Sequence, residues 1–476
     1  MHDFLVKLVY YADILFLLYF VCINLGYTAL MALSLYSVSL HAKYSERKPY
    51  RDLADSPVTP PVAVVIAAYN EEVGIVQTVL SLMRLNYPEK EVIVVDDGST
   101  DSTLDLLIRR FQLERMDLIF RESLKTGQPL ACYHNPGFPE LTVIAMKHGG
   151  KSRALNAGIN MARSPYFCTV DADCIIERDA LLRLMGLVLQ SKDTVVVSGG
   201  IVRIANGCTL RDGRLATMGL PGSWLELCQI VEYIRTFLFG RPGWNMLNAN
   251  FIASGAFCVL HRDSAVKAGG FSSYTVTEDI DMIARMRRYL TREKRKFKVL
   301  FTSDPICWTE GPRNLRMLAR QRRRWQLGMT QTLIQNREMI FNRSYGATGM
   351  LSMPFHLLME TFGCVIEALG TIVLIPISLI VLKTPLTIFF LFLLLAVAYG
   401  TLLSMGSVVL EEITLGRYPR LRHVMTLMAF AVVENVGYRQ VITLFKALGV
   451  LQSFRGKSSW EVVKHKGIAS ETVGAN

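Results

Sequence analysis

Val62-Ala63-Val64-Val65-Ile66-Ala67-Ala68, closing on Tyr69-Asn70-Glu71, decides the fold. Seven apolar residues with no polar alternation read as a strand buried on both faces, the kind found in parallel sheets covered by helices. A second run, Val92-Ile93-Val94-Val95, leads straight into Asp96-Asp97-Gly98-Ser99. Leu141 to Met146 and Phe167 to Val170 are two more, and the last ends on Asp171-Ala172-Asp173. Helix-length stretches separate them, one from near Glu71 to before Pro88 and one from Ala154 to Ala162. This alternation predicts an α/β domain on a mainly parallel sheet. Ligands of such sheets bind beyond the carboxyl ends of the strands, and that is where this sequence places its acidic residues.

Outward from this body the chain turns apolar. It has 476 residues, 51% of them hydrophobic, and the excess lies at the two ends. Ile14 to Leu40 exceeds the roughly 20 apolar residues that cross a bilayer. A cleaved signal peptide has a basic start and a shorter apolar region. Here the basic residues follow the segment, at His41, Lys43, Arg47, Lys48 and Arg51. The positive-inside tendency therefore puts the body in the cytoplasm. Beyond Gly349, Phe362 to Leu382 and Leu386 to Leu410 are each long enough to span. Leu421 to Leu451 carries Glu434, Arg439 and Gln440 at its middle. It reads either as a span inside a helix bundle or as a re-entrant or interfacial helix pair. The basic tail (Arg455, Lys457, Lys464, Lys466) favours the second reading. The expected organisation is a membrane helix with its basic flank at 1–45 and a cytoplasmic body at 58–335. Transmembrane or interfacial helices follow at 345–452, then a basic tail at 453–476.

Composition excludes several classes. Nine cysteines without a Cys-x-x-Cys pair rule out zinc-ligand spacing and a disulfide framework. Cys168, Cys258 and Cys364 read as small buried hydrophobes. The apolar segments are too few, and the polar middle too large, for a transporter. Of the net charge of +12, Arg285 to Arg324 alone contributes +11, with fourteen Lys/Arg against three Asp/Glu. Next to membrane segments such a window reads as facing lipid headgroups. Tyr289, Phe297 and Trp308 interleave it, but no nucleic-acid module accompanies them, so they read as core aromatics and no nucleic-acid partner is expected.

Three acidic motifs carry the chemistry: Asp96-Asp97, Asp171-Ala172-Asp173 and Thr277-Glu278-Asp279. One carboxylate at a strand end is commonly a cap or turn device. Two carboxylates one residue apart at a strand end can turn toward one cation, and hard oxygen ligands suit Mg²⁺ or Mn²⁺ with substrate phosphates completing the shell. His148-Gly149-Gly150-Lys151-Ser152 ends like a phosphate-binding loop, yet Ala145 stands where that motif needs glycine. Lys151, at a helix start after paired glycines, remains a phosphate contact. Gln321-Arg322-Arg323-Arg324-Trp325 offers guanidinium forks for phosphate and a flat apolar face for a sugar. Glu232 to Trp244 is polar and aromatic, and reads as a core helix with an exposed turn.

Tyr69-Asn70-Glu71, Asp96 to Asp101, Gly150 to Asn156, Asp171 to Asp173, Thr277 to Asp279 and Gln321 to Trp325, in this order, resemble the family 2 glycosyltransferases. The similarity is to the membrane-bound branch that includes cellulose, chitin, hyaluronan and poly-N-acetylglucosamine synthases. It covers about residues 60 to 330 and the flanking membrane segments. The resemblance implies a GT-A (nucleotide-diphospho-sugar transferase) domain and inverting transfer from a UDP-sugar, UDP-N-acetylglucosamine or UDP-glucose, to a β-linked exopolysaccharide. It implies that Tyr69, Glu71 and Asp97 line the uridine pocket, with Lys151 at the diphosphate. Asp173 would be the principal metal ligand, and Asp171 would contact the nucleotide or a metal-bound water. Asp279 would be the general base, Gln321 and Arg324 would close over the diphosphate, and Trp325 would stack the acceptor. Ser254-Gly255-Ala256 would shape the acceptor site. A helix start lowers a carboxylate's pKa, so Asp279 is expected to be a weak base. The expected setting is the inner (plasma) membrane, multi-pass, with membrane lipids and a glycan or lipid acceptor as partners, and a partner subunit for export or regulation. The alternatives are single-sugar transfer to a lipid and an inactive glycan- or nucleotide-binding subunit.

Overall fold

The computed structural model describes residues 2–455 apart from 48, 49, 118, 212, 213, 383–385, 417 and 419. Lys48 and the tail lysines 457, 464 and 466 lie outside the described residues. The described residues form twelve strands: β1 (Val62–Ala68), β2 (Lys90–Asp96), β3 (Glu114–Met116), β4 (Ala131–His134), β5 (Leu141–Ala145), β6 (Tyr166–Asp171), β7 (Ile175–Ile176), β8 (Thr194–Ile204), β9 (Thr209–Arg211), β10 (Arg214–Thr217), β11 (Phe257–His261) and β12 (Phe297–Thr309). Ten form one sheet in the order β3-β4-β5-β2-β1-β6-β11-β8-β12-β7, and β9 and β10 make a separate hairpin. β5, β2, β1, β6, β8 and β12 run in one direction, with β11 inserted antiparallel between β6 and β8. The domain is α/β, and its central sheet is mainly parallel.

The apolar runs form strands because both of their faces are covered. Along β1, Val62, Val64 and Ile66 pack into one core with the helices Ile75–Met83 and Ala180–Gln190. Ala63 and Val65 pack into the opposite core with Lys151–Met161 and Glu278–Arg292. Burying each such Val or Ile contributes about 1.5–3 kcal/mol, enough to fix which residues point to which layer. Gly158 lies so close to Val65 that any side chain there would clash, which seats its helix tightly on the sheet. The helix expected from near Glu71 starts later, at Ile75, because Asn70 takes a left-handed φ of 58° and the chain turns before it coils.

Register sets the site. Ala68 pairs with Asp96 on one side, and Ala67 with Asp171 on the other. Both carboxylates therefore leave the sheet at the same edge.

Among the described residues, three helices are long and apolar enough to cross a membrane: Asp3–Leu40, Thr348–Val381 and Ala396–Leu415. The second starts earlier than the apolar run that begins at Phe362, since Thr348 to Thr361 continues the same helical path through π-turns. Leu421 to Leu451 is two helices, Leu421–Val433 and Arg439–Ser453, parted at Val436 and Gly437, whose φ is 90°. Buried polar ties join these helices to the α/β body. Arg203 of β8 pairs with Glu411, and Arg235 donates to Glu434 at 2.5 Å. Part of the basic window is engaged internally, while eight of its fourteen cations are exposed. Arg285 bonds Asp281 at 2.7 Å, Arg288 and Arg292 share Glu338, and Arg287 and Arg322 are buried. Trp308 is buried in one hydrophobic cluster, and Tyr289 and Phe297 pack partly buried against another.

Candidate active site

Beyond the carboxyl edge of the sheet lies a cavity of 410 Å³. It is lined by Tyr69, Glu71, Asp97, Lys151, Asp171, Asp173, Asp279, Gln321, Arg324 and Trp325, every site residue named from the sequence.

The donor side is built by β1, β2 and the turn before the helix Lys151–Met161. Asp97 is 2% exposed, and both of its oxygens accept backbone N–H bonds, from Gly149 at 2.9 Å and Gly150 at 2.8 Å. Its carboxylate thus fixes the glycine turn that presents Lys151. Gly98 (φ +71°) is required there, because a Cβ would meet the His148 amide nitrogen at 2.8 Å. The His148 ring in turn stacks on Tyr69, with centroids 4.4 Å apart.

Lys151 Nζ lies 2.7 Å from Asp171 Oδ1 and 2.9 Å from Glu278 Oε1. Burial works against its charge, but these two carboxylates outweigh it and hold the ammonium well above its ordinary pKa. The lysine therefore bridges the donor-side strand end and the helix that carries Asp279.

Asp171, Asp173 and Cys174 can bring ligand atoms within 4.8 Å of one another. The two carboxylates suit a hard divalent cation. Cys174 does not, because its bond with Cys307 and its burial hold the thiol protonated, far above its ordinary pKa. Glu71 registers the crowding. Burial, then Asp173 and Asp171, push its pKa up to about 8. Asp171, Asp173 and Glu278 converge about Lys151 with more negative charge than that lysine cancels, and a divalent cation would balance it, so the residues fit Mg²⁺ or Mn²⁺.

Asp279 opens the helix Glu278–Arg292, packed behind Gly255. A Cβ on Gly255 would stand 2.8 Å from Asp279 Oδ2. The helix-start argument predicts a lowered pKa, and the structure corrects it. Burial, with Glu278 adding to it, raises Asp279 to about 6, and the backbone bond at Ile280 only offsets part of this. Desolvation outweighs the helix dipole here because little water reaches the group.

Gln321, Arg324 and Trp325 face the cavity from the helix Leu315–Gln335. The deepest residue of that motif is one the sequence reading left without a role. Arg322 is fully buried and donates to Glu232 at 2.7 Å and to Gln321 at 2.8 Å. Its guanidinium also lies over the Trp325 ring at 4.3 Å. Tyr438, beside the Gly437 break, donates to the same Glu232 at 2.7 Å.

Glu232, Tyr233 and Arg241 also line the cavity, so Glu232 to Trp244 is a cavity wall as well as a core helix. Arg241 stacks on Phe237 at 3.9 Å, and its Nη1 is buried without a hydrogen-bond partner among the described residues. Burial lowers its pKa to about 10, against the opposing pull of Asp279. Paired polar and aromatic residues in an otherwise apolar helix were the available signal.

The model for "Glycosyltransferase like family 2" matches residues 134–328, and that for "Glycosyl transferase family 2" matches 63–124. A "Chitin synthase" model matches 282–415. Poly-beta-1,6-N-acetyl-D-glucosamine synthase of Staphylococcus epidermidis is 24% identical over 275 residues, 58% of this chain and 56% of that protein. The enzyme of the same name from Staphylococcus aureus (strain COL) is 25% identical over the same shares. This chain thus spans little more than half the length of the curated relatives it matches. Among solved structures, a mannosyltransferase from Pyrobaculum calidifontis in complex with GDP-Man and Mn²⁺ has a TM-score of 0.46 at 17% identity. That superposition covers 88% of this chain and 99% of the other. The two family 2 models together match more than half of the chain, and the chain belongs to the family 2 glycosyltransferases.

Proposed function

We propose that the chain transfers a sugar from a UDP-sugar, with inversion, to a growing β-linked polysaccharide at the cytoplasmic face of the inner membrane. One observation carries this reading. A single cavity joins a phosphate-binding side (Lys151, Asp171, Asp173) to a base and an apolar sugar platform (Asp279, Trp325), and it runs on to Glu360 and Lys446 of the C-terminal helices. The curated relatives are named for poly-β-1,6-N-acetylglucosamine, which favours UDP-N-acetylglucosamine over UDP-glucose as donor.

In this mechanism Asp171 and Asp173 would hold Mg²⁺ or Mn²⁺, which would supply positive charge for the leaving diphosphate. Tyr69 and Glu71 line the nucleotide side, and Asp97 holds the turn that aims Lys151. Asp279 accepts the proton of the acceptor hydroxyl, whose oxygen bonds to the anomeric carbon as the carbon–oxygen bond to the diphosphate breaks. A carboxylate with a pKa near 6 is a stronger base than an ordinary aspartate and is still ionised at neutral pH. Trp325 stacks the terminal sugar, while Gln321 and Arg324 close over the diphosphate.

Purified chain in lipid, screened with labelled donors while nucleoside diphosphate release and product length are read, tests the proposal. Long product from a UDP-sugar is expected, with Asp279→Asn blocking transfer and retaining nucleotide. A product of one added sugar sinks the polymerising reading, and unimpaired transfer by Asp279→Asn sinks the assigned base.

A further inference from the structure

A second cavity, of 320 Å³, lies outside the catalytic one. Its wall includes Arg287, Arg295, Lys296 and Lys298, with Asp193 as its acidic member. Lys298 lies 3.6 Å from Asp193, which accounts for that carboxylate. The other three cations have no carboxylate partner among the described residues.

Arg287 is the unusual one. It is 4% exposed, on the helix that carries Asp279, and gives Nε and Nη2 to the backbone carbonyls of Asn250 (2.8 Å) and Asn248 (3.0 Å). Burial without a compensating anion lowers its pKa to about 9. A guanidinium this deep ordinarily has a carboxylate against it, since burying an unpaired charge is costly.

Position narrows the occupant. The wall passes through Tyr345, Gly346 and Ala347 to Thr348, the first residue of the membrane-length helix Thr348–Val381. Ala347 and a further wall residue, Leu247, pack in the cluster that holds Tyr27 and Leu30 of the N-terminal membrane-length helix and Phe355 of the second. The cationic wall thus borders the place where two apolar helices meet the folded body. Anionic headgroups concentrate at that level of a bilayer, and basic residues near it draw them.

We infer that this cavity binds the phosphate of an anionic lipid headgroup, held by Arg287, Arg295 and Lys296 beside the start of the helix Thr348–Val381. The site is separate from the transfer chemistry and rests only on the membrane placement of these helices.

The test uses the full chain with vesicles of phosphatidylcholine, alone or mixed with phosphatidylglycerol, and reads lipid retention by mass spectrometry and the thermal unfolding midpoint. The variant is Arg295→Gln with Lys296→Gln, both exposed and outside the catalytic cavity. Wild type is expected to retain phosphatidylglycerol over phosphatidylcholine, with its midpoint raised by the former. In the double variant the half-saturating phosphatidylglycerol should rise about thirtyfold, the product of two surface charges. Equal retention of the two lipids, or unchanged affinity in the variant, overturns the inference. Millimolar inorganic phosphate that raises the midpoint as much as phosphatidylglycerol assigns the site to a free anion and also overturns it. A wild-type chain that fails to float with either vesicle removes the membrane placement and the site together.

Discussion

Replacing Gly255 by alanine tests whether Asp279 acts through its position. The new Cβ would lie 2.8 Å from Asp279 Oδ2 and 3.1 Å from Cγ. That is roughly 0.6 Å inside ordinary contact, so the carboxylate must move by a comparable amount or turn about its χ angles. A misplacement of about 1 Å costs on the order of 10²-fold in rate. The shift worked here should therefore lower kcat about tenfold to thirtyfold, while KM for the donor stays close to wild type because Lys151 and Asp171 are untouched. Asp279→Asn should cost more, about 10²- to 10⁴-fold, since it removes the base altogether. The assay is nucleoside diphosphate release in lipid at saturating donor, with thermal unfolding recorded in parallel. Wild-type kcat in a folded Gly255→Ala chain would refute the reasoning. A loss that appears wholly in donor KM would also refute it, since it would place the glycine on the donor side.

The pH profile should follow Asp279: kcat/KM falls as pH drops through about 6, where the base becomes protonated. Glu278→Gln removes a neighbour that raises this pKa, so the inflection should move to lower pH. Stripping divalent metal with a chelator should abolish release, with Mg²⁺ or Mn²⁺ restoring it, and Asp173→Asn should need far more metal for half-maximal rate. Breaking the Arg322–Glu232 pair by Arg322→Ala should destabilise the chain by about 1–3 kcal/mol in denaturation, because Glu232 loses its cation and keeps the Tyr438 bond. The paired change Arg322→Met with Glu232→Leu should recover most of that loss.

The α/β body was legible because Val62–Ala68 and Val92–Val95 have apolar runs too continuous for one-sided strands. The acidic residues that follow them are local, and their place at strand ends could be read directly. Their convergence could not. It depends on the register that pairs Ala68 with Asp96 and Ala67 with Asp171, and on β11 arriving antiparallel. Asp97 shows the limit of a motif, since only the folded turn shows its oxygens spent on Gly149 and Gly150. Asp279 shows another. The pull of the helix start is readable from sequence, but the larger effect of burial belongs to tertiary packing. Glu232, Tyr233 and Arg241 were hidden for the opposite reason, because a helix that faces both core and cavity has no single periodic signature.

The ties from the α/β body to the helices around it change what a fragment of this protein would be. Arg203 with Glu411, Arg235 with Glu434, and Glu232 with Tyr438 all cross that boundary, and the first pair is almost wholly out of water. Cutting the chain between body and helices would leave Arg203 and Arg235 without their carboxylates, in surfaces shaped for a neighbour. Trimming to a soluble enzyme would therefore create two stranded arginines and a raw apolar face. The boundary is better described as a graft than as a hinge: the catalytic half was built to be finished by the helices packed against it.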